Sequence, residues 1–80
     1  SNNLFMTLMD ARTDKVYKVI EVHGEGNEKR RLLDMGFTPD CKIYVAHCAP
    51  FGGTILVGLR GFLVALREDA ASLIEIGEAD

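Results

Sequence analysis

Arg30-Arg31-Leu32-Leu33-Asp34-Met35-Gly36-Phe37-Thr38-Pro39-Asp40 combines a short basic helix, its stop signal and a turn that launches a strand. Helix formers run as far as Met35, Gly36 can take the left-handed conformation that closes a helix, and Pro39 prevents the helix from resuming. Just upstream, Asn27 can cap the helix through its side-chain oxygen, and Glu28 places an acid where the helix dipole favours one, so a helix is predicted over 28–35. The unusual feature is charge. Lys29, Arg30 and Arg31 fall early in this predicted helix, where the positive end of the dipole disfavours each cation by roughly 0.3 to 1 kcal/mol.

Outward from this stretch the pattern is that of short strands. Before it, Lys15 to Val22 alternates Val16, Lys18, Ile20 and Val22 with Tyr17, Val19 and Glu21, leaving both faces partly apolar, as in a small barrel. Leu8 to Ala11 supplies one helical turn, and Thr13-Asp14 supplies turn chemistry. After it, Cys41 to His47 puts Ile43 and Val45 on one face and Lys42, Tyr44 and Ala46 on the other. A loop tip at Ala49-Pro50-Phe51-Gly52-Gly53 leads into Ile55 to Leu59, where Gly58 implies a bulge or a close backbone approach. A tight turn at Arg60-Gly61 then returns the chain as Phe62 to Leu66. Glu68 to Leu73 reads as a single helical turn, and Ile74-Glu75-Ile76 as a last strand. The predicted architecture is mainly β, a small, strongly bent barrel of about five strands with one or two short helices.

Size and charge limit the function. A chain of 80 residues buries only about 60 to 65 percent of the surface its unfolded form exposes, so it forms one domain whose hydrophobic residues, 48% of the total, are mostly structural. The net charge of −3 argues against a general nucleic-acid binder, which needs a basic surface. No Lys or Arg follows Arg67, while Glu68, Asp69, Glu75, Glu78 and Asp80 crowd the end of the chain. That asymmetry could serve contacts with a partner or between copies of this chain. No apolar run approaches the roughly 18 residues of a membrane span, and Ser1-Asn2-Asn3 lacks a signal pattern and reads as an expression remnant, so a cytoplasmic location without membrane insertion is expected. Two cysteines, Cys41 and Cys48, fit a reducing compartment better than a disulfide scaffold.

No catalytic constellation emerges. The Phe51-Gly52-Gly53-Thr54 tip lacks the Gly-Lys-Ser/Thr ending of a phosphate-binding loop, and no nucleophile stands with its base, so binding is favoured over chemistry. The soft or borderline metal ligands are His23, Cys41, His47 and Cys48. Their spacing matches no structural zinc pattern, and His47 and Cys48, adjacent on a strand, point to opposite faces unless a bulge intervenes. No resident metal or cofactor is expected beyond a transient contact with Fe2+; the alternative function is a domain that binds or senses Fe2+ or another divalent metal directly through these four residues. The basic triplet has two open readings. Arg30 and Arg31 stand four and three residues from Asp34 and could pair with it on a solvated helix, or the charges could form a docking surface. Leu32 reads as core, with Leu33 and Met35 undecided. Phe51, at a loop tip, is a candidate interface anchor.

The string Arg31-Leu32-Leu33-Asp34-Met35-Gly36-Phe37-Thr38-Pro39, followed by a strand, resembles the signature of the FeoA family, small cytosolic proteins associated with bacterial ferrous-iron uptake. Arg60-Gly61-Phe62-Leu63-Val64-Ala65-Leu66-Arg67, Ala71 and Ile74-Glu75-Ile76 are similar to that family's closing hairpin and terminal strand, and Ala49-Pro50-Phe51-Gly52-Gly53 to its central loop. The resemblance covers about residues 8–76, leaving an N-terminal segment at 1–7 and an acidic tail at 77–80. Asp40, where the family usually has glycine, and Thr13-Asp14, where Pro-Gly is common, are departures; Asp40 implies a turn with negative φ or a left-handed aspartate. The resemblance implies an SH3-like barrel, structural roles for Gly36, Pro39 and Gly61, and an accessory protein that acts with the FeoB membrane iron transporter, whose cytosolic part is a GTPase. It identifies no catalytic residue. With that partner, Lys29, Arg30, Arg31, Asp34 and Phe51 are the candidate docking residues. A peptide-binding barrel using Tyr44 and Phe51 is a further alternative, and a fragment of an iron-dependent repressor a weaker one.

Overall fold

The computed structural model describes residues 5–48 and 53–79. A 3-10 turn at Leu8–Asp10 precedes strand β1 (Val16–Val22), helix α1 (Gly26–Met35), β2 (Lys42–Cys48), β3 (Thr54–Leu59), β4 (Phe62–Arg67), the one-turn helix α2 (Glu68–Ala71) and β5 (Ile74–Glu78). The strands form one five-stranded sheet in the order β4-β3-β2-β1-β5, with every neighbouring pair antiparallel. Its inner face buries Tyr17, Val19, Ile43, Val45, Ile55, Val57, Leu59 and Leu66, which the side-chain period of two brings together once the registers are set.

Strand β1 departs from the expected alternation for a definite reason. The register against β5 shifts between Val19 and Glu21, so one extra residue enters the strand. Val19 and Val22 are therefore both buried although they stand three apart, and Ile20 and Glu21 are both exposed. A second register shift bends β2 between Val45 and His47. Gly58 marks a close approach. The Tyr44 ring lies over it where a Cβ would be, while the ladder from β3 to β4 runs through it without a shift.

The opening stretch folds as a closed helix end. Gly36 has φ 116° and ψ 4°, and the Phe37 amide donates to the Leu32 carbonyl at 3.1 Å while the Gly36 amide donates to Leu33 at 3.0 Å. This is the Schellman pattern, whose usual apolar contact is met because Leu32 and Phe37 are both in the core. Burying Phe37 completely contributes about 1.5 to 3 kcal/mol. The following turn closes with the Cys41 amide on the Thr38 carbonyl at 3.0 Å, with Pro39 and Asp40 at its centre. Asp40 takes the left-handed conformation, φ 72°, that such a turn requires at its third position. Its amide reaches the Val19 carbonyl at 2.8 Å, joining the turn to β1 beside the bulge.

Two expectations at the other end of α1 are corrected. Asn27 is inside the helix, and the cap is Glu25, with no side-chain capping bond. The helix thus starts earlier than predicted, and Lys29, Arg30 and Arg31 occupy its fourth to sixth positions. The dipole effect falls off within the first turn, so their placement costs less than the sequence implies.

Candidate functional site

Helix α1 turns Glu28, Arg31, Leu32 and Met35 to one side, the i, i+3, i+4, i+7 spacing of a single face. Opposite stand Ala65, Leu66 and Arg67 from the end of β4 and Asp69 and Ala70 from α2, enclosing a groove of about 240 Å³. The groove is more polar than apolar: Arg31 and Arg67 are its cations, Glu28 and Asp69 its acids, and Leu32, Met35 and Leu66 its larger apolar side chains. Arg30 and Arg31 are exposed and Lys29 half-buried. Asp34 is exposed, but the ion pairs among the described residues are Arg12–Asp14, Lys15–Glu78 and His23–Glu75, so Asp34 is engaged by neither arginine. Of the five candidate docking residues, the helix thus gathers Lys29, Arg30, Arg31 and Asp34 on one element, and Arg31 reaches the groove; Phe51 lies outside the described residues. Leu33 and Met35, undecided from sequence, are half-buried against the core.

A second apolar surface lies on the outer face of the sheet. Val16, Tyr44, Gly58 and Leu63 are successive partners across β1, β2, β3 and β4, and Val16, Tyr44 and Leu63 are 47%, 45% and 50% exposed. Tyr44 therefore meets the exposure that peptide capture needs, while its companion Phe51 lies outside the described residues.

The sequence-derived metal ligands do not converge. His47 pairs with Leu56 and Cys48 with Ile55, so these neighbours belong to opposite faces; the β2 bulge precedes them instead of separating them. Cys41 is half-buried at the turn before β2. What the sequence missed is the company of His23. Its Nε2 lies 2.9 Å from Glu75 Oε1, and Glu21 joins them in a cluster whose ligand atoms lie within 4.8 Å of one another. His23 and Glu75 are 52 residues apart, and only the β1 to β5 register unites them.

Charge pairing is clearest around the start of β1. The Arg12 guanidinium, bonded to Asp14 at 2.8 Å, holds the Asp14 carboxyl below the usual carboxylate range, and Asp14 in turn raises Arg12. Lys15 is raised by its hydrogen bond to Glu78. All these groups are solvent-exposed, so these pairs add little to stability. None of them lines the α1 groove.

Five antiparallel strands, two register shifts and a helix folded between β1 and β2 define a small SH3-like barrel. Residues 6–77 match the FeoA domain, and the chain belongs to the FeoA family. Over 71 residues it is 31% identical to an Fe(2+) transport protein A/Fe(2+) transporter FeoB fusion protein of Porphyromonas gingivalis, a match covering 89% of this chain and 8% of that protein. It is 30% identical to a FeoA-like protein from Clostridium acetobutylicum, with a TM-score of 0.82 over 92% of this chain and 86% of that one. The fold is also that of Stenotrophomonas maltophilia FeoA complexed with zinc, described as a prokaryotic SH3 domain protein; the TM-score is 0.76 at 23% identity, over 94% of this chain and 99% of that one. The family is thus tied to ferrous iron transport, and in one relative the domain is fused to FeoB. No helix among the described residues is long and apolar enough to cross a membrane.

Proposed function

We propose that this FeoA domain is a cytoplasmic accessory module of ferrous-iron uptake that docks through the exposed side of α1 onto the GTPase part of a FeoB-type transporter and alters its activity or assembly. The observation that carries this reading is the fused relative, in which evolution has made the two partners one polypeptide and so raised their local concentration. The docking surface is Arg30 and Arg31 with Lys29 and Asp34 beside them, continued by the groove that Arg31 and Arg67 flank. Exposed charges of this kind steer encounter and fix orientation, and the groove beside them supplies a concave contact surface of mixed polarity. The partner surface should accordingly be acidic where it meets Lys29, Arg30 and Arg31. The domain performs no chemistry itself; its effect is exerted through the transporter's nucleotide cycle.

The test is co-purification of the domain with its cognate transporter, together with iron uptake in cells carrying the wild-type or R30E/R31E domain. Loss of both association and uptake in the variant, with the fold intact, is expected. Retention of both would remove α1 from the account, and absence of association in the wild type would end it.

A further inference from the structure

We propose that Glu21, His23 and Glu75 form a binding site for a first-row divalent transition metal, clamping β1 to β5. Glu21 and His23 are two apart, so an extended backbone sends both side chains outward while Val22 between them is buried. The bulge between Val19 and Glu21 sets the register that places Glu21 directly opposite Glu75. Two carboxylates facing each other across an antiparallel pair repel, and a cation between them reverses the sign of that interaction. Among the described residues, no lysine or arginine forms an ion pair with either of them.

The geometry is close to that of a coordination sphere. Three atoms within 4.8 Å of one another have a common centre no more than about 2.8 Å from each, against the roughly 2.0 to 2.2 Å of a metal bond to nitrogen or oxygen. The exposed Glu21 side chain can close that gap by rotation, and the ion takes the place of the proton shared between His23 Nε2 and Glu75 Oε1, which is released to solvent; the backbones of these two ligands are already held. The His23 amide donates to the Leu73 carbonyl at 2.7 Å, and the ring stacks on Phe5 at 4.6 Å between centroids. Glu75 lies between β1 and the bridge to Thr7, and the next residue, Ile76, donates its amide to the Met6 carbonyl at 2.9 Å. His23 and Glu75 side chains are 34% and 21% exposed, a partly shielded setting.

One imidazole with two carboxylates suits Mn2+, Fe2+, Co2+ and Zn2+, while the absence of a thiolate or thioether from the set disfavours Cu+. Three protein ligands leave positions for water, so the ion should exchange. This site is independent of docking through α1 and can stand if that reading falls.

The experiment titrates the whole chain with Mn2+ and follows backbone amide signals by NMR, then counts bound Co2+ by its visible absorption. Substoichiometric Mn2+ should broaden residues around Glu21, His23 and Glu75 first, and Co2+ should saturate at one per chain. E21Q and H23N should each weaken binding at least about tenfold, as expected when a ligand is lost, while H47N leaves it unchanged. Glu21 is exposed, so E21Q keeps the fold and its amide spectrum reports that directly. Broadening centred on other acidic residues, unchanged affinity in E21Q and H23N, or no binding at a hundredfold excess of metal would overturn the proposal.

Discussion

Gly36→Ala should destabilise the domain by about 2 to 4 kcal/mol. At φ 116° the residue lies beyond the left-handed well that L residues enter at a cost of roughly 1 to 2 kcal/mol, so the backbone penalty is at least of that size. A Cβ would also sit 3.0 Å from Arg60 Nε, 3.2 Å from Arg60 Cδ and 3.2 Å from Leu59 Cδ1. The arginine can swing away at the expense of its 3.1 Å bond to Thr38 Oγ1, but Leu59 is 2% exposed and has little room. Crowding of this kind adds about 1 kcal/mol or more. A domain of this length has about 4 to 12 kcal/mol in all, and each kcal/mol moves its melting midpoint by about 4 to 8 °C. Urea and thermal unfolding of the wild type, G36A, R60A and the double variant measure the effect. In the R60A background two of the three close contacts are gone, so G36A should cost about 0.5 to 1.5 kcal/mol less there. A cost below about 0.5 kcal/mol for G36A in the wild-type background would refute the assignment of Gly36 as the obligatory helix stop.

Other substitutions probe neighbouring links. F37A empties a fully buried position and should cost about 3 to 5 kcal/mol by urea unfolding, enough to leave the domain barely folded. G58A should destabilise because its Cβ meets the Tyr44 ring, and Y44A in the same chain should restore most of the loss; failure of that rescue would mean the ring is not the obstacle. Asp14 has its pKa lowered in the folded state by Arg12, so its contribution is present above its unfolded pKa and is lost as pH falls through the folded value. D14N should therefore differ slightly from wild type in urea midpoint at neutral pH and converge with it in strong acid. The gap should also shrink with salt, because the pair is exposed.

The barrel was legible because its decisive signals are local. Gly36 and Pro39 act within a turn of their own positions, and Ile43, Val45, Ile55 and Val57 keep the period of two that one buried face imposes. The bulge in β1 was not legible, since the extra residue shows only when β5 is laid beside it, and the face of Val22 was misread with it. Asn27 looked like a cap because its side chain is suited to one, yet backbone geometry put the helix start before it. The Glu21, His23 and Glu75 cluster shows the same limit. Two of its members lie two residues apart on β1 and the third comes from β5, so no spacing rule along the chain finds it. The basic helix was visible from the start; what the structure altered was its energetics, because Arg30 and Arg31 stand clear of the first turn and need no compensating partner.

The most direct test of the docking claim is the affinity of the domain for the purified GTPase part of its cognate FeoB-type transporter, measured by titration calorimetry across a range of salt. The account predicts binding that weakens as salt rises and falls at least about tenfold in R30E/R31E, the pattern of charge-steered docking. Equal affinity for wild type and variant at every salt concentration would contradict it.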